Sequence, residues 1–304
     1  MKLTLVPVYL LKTQVINHHS KILVMKHINL NMMRTVGVLL SASFILSSCF
    51  KKFDPDSYAP PLNIGGFTSA NEIGAGHLVG YWNFNGNYND SISGTAGVNT
   101  GTTFTNGIKG SAMQGALNSW VLFDPGTAIT DMNSFTLTYW VNSPAPSTGI
   151  IGLVNLSKTD GFWGNIDMFF ENGSTNTNGI LKAHIQNGAS ESWVEKSGII
   201  NLFDSWVNIA LSYDAPTETF RLYINGSPIV TKVHAGFGDL NWTNPGKMVF
   251  GTVHFQTDPS QTSASGNQGW ASWLTGQMDE VRLYNISLEP EEVNSLVKLE
   301  GRGK

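Results

Sequence analysis

Gly276-Gln-Met-Asp279-Glu280-Val281-Arg282-Leu283-Tyr284-Asn285, followed by Glu289-Pro290-Glu291-Glu292-Val293, closes the chain with a strand and then a helix. Gln277, Asp279, Val281 and Leu283 share one phase of the two-residue strand repeat. Asp279 therefore points the same way as two apolar side chains. A carboxylate there needs a cationic partner or a metal, because a bare buried charge is too costly. Beyond the strand, Pro290 suits a first helical turn and Glu291 and Glu292 favour the positive helix N-terminus. Val293, Leu296 and Leu299 form an apolar stripe.

Upstream of this ending the texture is β. Short runs of β-branched and aromatic residues alternate with Gly, Asn, Ser and Thr. Candidate strands are His77–Phe84, Trp120–Phe123, Phe135–Asn142, Gly149–Asn155, Asn165–Glu171, Ile180–Ile185, Trp206–Tyr213, Thr219–Ile224, Ile229–Val233, Lys247–Val253 and Gln277–Tyr284. The clearest hairpin is Arg221-Leu-Tyr-Ile-Asn225-Gly226-Ser-Pro-Ile-Val, where Asn-Gly supplies the two positive-φ positions of a type I′ turn. Many strands and one closing helix indicate an all-β, two-sheet sandwich of jelly-roll type. Some strands are apolar on both faces: Trp140 opposes Phe135, Leu137, Tyr139 and Val141, and Trp206 opposes Val207, Ile209, Leu211 and Tyr213. Either loops cover the second face or the tryptophans line a concave ligand face, and cover is the commoner fate of a strand tryptophan.

Charge divides the 304 residues. The first 48 hold five of the 18 cations and none of the 22 acids, so the remainder carries a net −9. Such a balance excludes a typical nucleic-acid binder. Arg34 followed by a short apolar run and then Leu46-Ser47-Ser48-Cys49 reads as a signal peptide, and the run is too short to span a bilayer. Its end resembles the bacterial lipobox, which implies lipid attachment at Cys49, the only cysteine. A lone cysteine also excludes a disulfide framework and thiolate zinc sites. Residues 1–31 read as an upstream extension, with Met32 or Met33 as the start. Phe50 stands where an inner-membrane retention Asp would be, so the expected location is the outer membrane or cell surface. The expected organisation is a signal segment over 1–48, a lipidated N-terminus and flexible tether over 49–76, and one domain over 77–304.

Two segments, with others between them in order, carry a family pattern. They are Leu78-Val-Gly-Tyr-Trp82-Asn-Phe84-Asn-Gly86-Asn-Tyr-Asn-Asp90 and the Asp279-Glu280-Val281-Arg282 strand. Ser134-Phe-Thr-Leu-Thr-Tyr-Trp140-Val and Trp206-Val-Asn-Ile-Ala-Leu-Ser-Tyr213 lie between. Over residues 77–299 the chain resembles laminin-G-like domains of the concanavalin A-like lectin/glucanase superfamily. The resemblance implies a curved jelly roll and, in many members, a calcium on the positions matching Asp90 and Asp279. The alternative is a hydrogen-bond network between Asp279 and backbone amides.

The superfamily also includes glycosidases, whose strand carboxylates Asn165-Ile-Asp167-Met-Phe169-Phe-Glu171 matches poorly. On a regular strand Asp167 and Glu171 would stand about 13 Å apart, too far for either a retaining or an inverting pair. His77, His184, His234 and His254 lack metal-ligand spacing. The expected activity is therefore carbohydrate binding without catalysis. Candidate ligand contacts are Trp163, Trp193, Trp242, His254, Phe255, Trp270 and Trp273, in or beside polar loops. The long polar stretch from His254 to Trp270 suits a binding loop. A structural or adhesion module with an outer-membrane protein partner is the other class, and a divergent glycosidase the third.

Overall fold

The computed structural model describes residues 62–304; the expected signal segment and Cys49 lie outside the described residues. The strands form two eight-stranded sheets. The first contains β1 (Leu78–Trp82), β3 (Thr103–Asn106), β4 (Ser111–Gln114), β6 (Phe135–Asn142), β11 (Val207–Asp214), β12 (Thr219–Ile224), β13 (Ser227–Val233) and β16 (Gln277–Tyr284). Its order is β13-β12-β11-β6-β16-β4-β3, with β1 also on β16. The second contains β2 (Val98–Thr100), β5 (Trp120–Phe123), β7 (Ile150–Lys158), β8 (Ile166–Phe170), β9 (Gly179–Asn187), β10 (Ser190–Ile199), β14 (Pro245–Phe250) and β15 (Ala271–Ser272). Its order is β10-β9-β8-β7-β14-β5-β2, and β15 runs parallel to β7. The helices are α1 (Thr127–Thr130) and the closing α2 (Pro290–Glu300). No helix among the described residues is long and apolar enough to cross a membrane.

Alternation builds the core. Phe135, Leu137, Tyr139 and Val141 of β6 and Ile209, Leu211 and Tyr213 of β11 meet Ile166, Met168 and Phe170 of β8 and Leu181, Ala183 and Ile185 of β9. Trp82 sits among them, its ring centroid 5.0 Å from those of Phe123 and Phe250, both in edge contacts. Asn225 (φ 50°) and Gly226 (φ 75°) both take the left-handed region, as a type I′ hairpin requires.

Cover accounts for the second apolar face of the first sheet. Val293, Leu296 and Leu299 of α2 pack with Ala210, Tyr223 and Tyr284 on that face, and Ala70 and Ile73 join them. Each fully buried side chain of this kind contributes about 2 kcal/mol. Trp140 lies under the helix and donates from Nε1 to Glu300 Oε2 at 2.7 Å. From Leu62 onward the expected tether is folded against the domain, because Ala70 and Ile73 are buried and Asn71 accepts from Arg282 Nη1 at 3.0 Å.

The closing strand departs from the regular repeat. Its pairing with β6 shifts register between Asp279 and Arg282, and Glu280 has φ 49°. This bulge flips the phase, so that Met278, Val281 and Leu283 face the core while Asp279 leaves their row. Glu280 and Arg282 meet instead: Arg282 Nη2 reaches Glu280 Oε2 at 3.2 Å and its Nε reaches Glu300 Oε1 at 2.7 Å. The guanidinium carbon lies 3.9 Å from the centre of the Tyr81 ring. Tyr81 donates its hydroxyl to Glu280 at 2.8 Å. All three charged groups are fully buried.

Glu300→Ala should leave the Arg282 charge buried without its main partner. A loss of about 3–5 kcal/mol is expected, read as a lower urea midpoint with an unchanged slope.

Candidate functional site

The outer face of the second sheet is built differently. On β8, Asp167 and Phe169 point away from the core, and on β9 His184 does the same opposite Trp193 of β10. Two loops cover this face. One, between β7 and β8, carries Phe162, Trp163 and Gly164; the other, between β14 and β16, carries the 3₁₀ turn His254–Gln256 and Trp270.

One carboxylate ties these pieces together. Asp167 is completely buried. Its Oδ2 accepts from Gly164 N at 2.7 Å and lies 3.1 Å from His184 Nδ1. Its Oδ1 lies 3.3 Å from His254 Nδ1. His184 Nε2 continues to Glu191 Oε2, 3.1 Å away. Burial alone would push the Asp167 carboxyl up, but the approach of His184 and His254 outweighs it and holds the group below its ordinary value. Asp167 thus holds the first loop through Gly164 and the second through His254. The loops also bind each other directly: Thr262 Oγ1 donates to Gly161 O at 2.8 Å, and Ser263 N to Thr159 O at 2.8 Å. Gln256 braces the base of the long loop by donating to Ala271 O at 3.0 Å and accepting from Gln268 N at 2.8 Å.

Aromatic rings cap this polar centre. Trp163 stacks on Phe169 at 5.4 Å with an interplanar angle of 6°, and meets Trp193 edge-on at 5.3 Å. Phe162 stacks on Phe255 at 5.0 Å. Phe162 and Trp270 reach solvent, with 39% and 42% of their surface exposed, and lie 6.1 Å apart at 31°. Beside them a cleft of about 470 Å³ runs between residues 144–148 and 267–275. A second cleft of about 520 Å³ adjoins it, and Gln256, Asn267 and Trp273 line both.

Of the residues singled out in the sequence, Trp163, Trp193, His254, Phe255 and Trp270 therefore come together in one cluster, and Trp273 lines the adjoining clefts. Two placements differ from expectation. Trp242 is 6% exposed and belongs to the main core near Phe135, so it is a plug and presents nothing to solvent. Trp193 lies on a strand, since β10 is an edge strand whose polar residues disguise it as a loop. Sequence reasoning also missed Phe162, whose only signal was its position beside Trp163.

Asp90 and Asp279, the calcium positions implied by resemblance, fit a different donor set. Asp90 accepts backbone N–H groups from Tyr81 at 2.7 Å, Ile92 at 3.1 Å and Ser93 at 2.9 Å. Asp279 accepts from Ile108 at 2.8 Å, Lys109 at 3.2 Å and Glu280 at 2.8 Å. Three amide N–H groups on each carboxylate match the hydrogen-bond alternative. No cluster of three or more His, Cys, Asp or Glu fit to hold a metal occurs among the described residues.

Two predictions follow from these carboxylates. Burial pushes Asp279 up to about 7 against the pull of its amide bonds, and the charge of Glu280 adds to the rise. A raised carboxyl stabilises the fold fully below its unfolded value and loses that contribution as pH rises through about 7. Between pH 5 and 8 the wild-type chain should therefore lose more stability than Asp279→Asn, and chelator should leave both melting temperatures unmoved. Asp167 has the opposite sign: its contribution is present above the unfolded value near ~4 and is lost on acidification through its lower folded value. Asp167→Asn should cost about 3 kcal/mol at neutral pH and raise amide exchange in both 161–164 and 252–273. Its deficit should shrink as pH falls below about 4.

Comparison with known proteins accords with this geometry. The Laminin_G_3 family model, described as concanavalin A-like lectin/glucanases superfamily, matches residues 114–294. No curated protein sequence matches the chain. Among solved structures, the botulinum neurotoxin serotype D binding domain superposes with a TM-score of 0.55 at 9% identity, covering 75% of this chain and 53% of that one. The receptor binding domain of the botulinum neurotoxin C/D mosaic serotype gives 0.54 at 9% identity, covering 73% and 51%. Domain 4 of AbnA, a GH43 extracellular arabinanase from Geobacillus stearothermophilus in complex with arabinotriose, gives 0.51 at 18% identity, covering 73% and 98%. The chain spans about half the length of the neurotoxin domains. At these identities the structural likeness bears on the fold, and the family match covers more than half of the sequence. The chain belongs to the Laminin_G_3 family of the concanavalin A-like lectin/glucanases superfamily.

Proposed function

We propose that this chain is a non-catalytic carbohydrate-binding lipoprotein, held by lipid on Cys49 at the outer membrane or cell surface. The observation that carries the binding reading is the pair of exposed rings, Phe162 and Trp270, at 31° to one another on fastened loops beside an uncharged cleft. Sugar rings present CH faces that stack on such surfaces and hydroxyls that bond to nearby amides. Sites of this kind combine an apolar lining with a few oriented polar groups. A domain of the same fold is known in complex with arabinotriose, which supports the reading by analogy.

The non-catalytic part rests on Asp167 and Glu171. The first is buried beneath the aromatic cap and engaged by two histidines; the second is paired with Lys182 at 2.9 Å. Neither presents a free carboxyl to a glycosidic bond. The lipid anchor rests on the Leu46-Ser47-Ser48-Cys49 sequence. Lipid chains on one cysteine would suffice for stable anchoring when two or more are attached.

On a glycan array the chain should bind at least one carbohydrate. Trp270→Ala and Phe162→Ala should each weaken that signal about tenfold, roughly 1.4 kcal/mol, while each variant stays folded by circular dichroism. A blank array together with co-purification of an outer-membrane protein would instead support the adhesion reading.

A further inference from the structure

We infer that the paired clefts beside the aromatic platform take an uncharged oligosaccharide, bound along its chain, and discriminate against acidic sugars. This inference rests on the carbohydrate-binding reading and narrows it to a ligand class.

The lining is the first argument. The 470 Å³ cleft is walled by Ser, Thr, Asn, Gln, Gly and apolar residues and contains no charged side chain. The adjoining cleft contains one, Asp258, which is exposed and negative. An anionic sugar would need a cation where its carboxylate sits, because bringing a carboxylate to an uncompensated site costs several kcal/mol. Three of the four lysines on this sheet pair with acids, and the fourth, Lys196 on β10, lines neither cleft. Lys158 pairs with Asp160; Lys182 pairs with Glu171 and Glu195; Lys247 pairs with Asp124. Glu191, on the far side of His184, adds a further exposed negative charge near the aromatic rings.

The second argument is the kind of polar group on offer. Asn118 lines the 520 Å³ cleft and Asn267 both. Both are exposed, and neither side chain makes a hydrogen bond among the described residues. A carboxamide donates and accepts at once, and so does a sugar hydroxyl. Gln256, by contrast, has both of its amide atoms engaged in the loop brace and shapes the wall without being free to bind.

Shape is the third argument. Two clefts of about 470 and 520 Å³ join at Gln256, Asn267 and Trp273. Each alone falls in the range of a small-ligand pocket. Gln268 and Gly269 carry the wall of the 470 Å³ cleft to Trp270 on the platform. Two adjoining lobes beside an exposed aromatic pair suit several linked sugar units better than a single terminal residue.

The test is titration calorimetry on the full chain with five probes: arabinotriose, xylotriose and mannotriose as neutral chains, and sialyllactose and trigalacturonate as acidic ones. At least one neutral trisaccharide should bind, at least tenfold more tightly than either acidic probe. Its affinity should change less than twofold between 50 and 500 mM salt. Asn267→Ala, at an exposed loop position that leaves the fold intact, should weaken it about tenfold; Trp273→Ala should do the same. Preferential, salt-sensitive binding of an acidic probe would overturn this inference and leave carbohydrate binding standing. Neutral binding unaffected by Asn267→Ala would also overturn it, by placing the sugar elsewhere. Failure of all five probes, with a blank array, would overturn the carbohydrate reading and this inference with it.

Discussion

A buried guanidinium organises the ends of this domain. Arg282 is completely enclosed, and desolvating it costs several kcal/mol unless every donor finds an acceptor. The acceptors come from Asn71, Glu280 and Glu300, and the aromatic face from Tyr81. Burial works against the charge, but Glu300 and the surrounding acidic and phenolic groups outweigh it and keep the guanidinium firmly protonated. The first strand, the last strand, the 3₁₀ turn Ala70–Glu72 that carries Asn71, and the closing helix must therefore arrive together. The helix prepares its own start: Glu289 and Glu292 form a reciprocal capping box and Pro290 fixes the first turn. Its apolar stripe then closes the outer face of the first sheet, which removes that face from ligand binding.

The fold was legible where alternation was strong. Strands such as 135–142 and 219–224 announce themselves because every second residue is large and apolar, and the Asn225-Gly226 turn fixes its own geometry. The polar strands β2, β3 and β10 gave no such signal, because they sit at or near sheet edges where one or both faces meet water. Asp279 misled for a different reason. A strict two-residue repeat cannot anticipate a bulge, and Glu280 in the left-handed region gives no local warning in sequence.

The candidate site was legible by composition more than by position. Tryptophans next to polar loops do cluster, but Trp242 shows that such a neighbourhood does not separate a platform from a plug. Asp167 drew attention as a failed catalytic carboxylate. Its role became visible only when β9 and the long loop were placed around it, since His184 and His254 are 17 and 87 positions away in the chain. Charge tells a similar story: an acidic chain and an uncharged cleft agree, yet only the structure shows where its lysines are spent.

Because a single carboxylate fastens both aromatic loops, those loops form one mechanical body. Neither can swing without dragging Asp167, and through it the sheet. The long loop is tethered at His254 and Gln256 on one side and at Gln268 and Ala271 on the other. Between these fasteners Thr262 and Ser263 bind the first loop, while Asp258, Ser260, Gly266 and Asn267 line part of the clefts and lie outside the core. The architecture thus separates a fixed frame from an exchangeable insert. Recognition can be rewritten within that insert while the platform keeps its place.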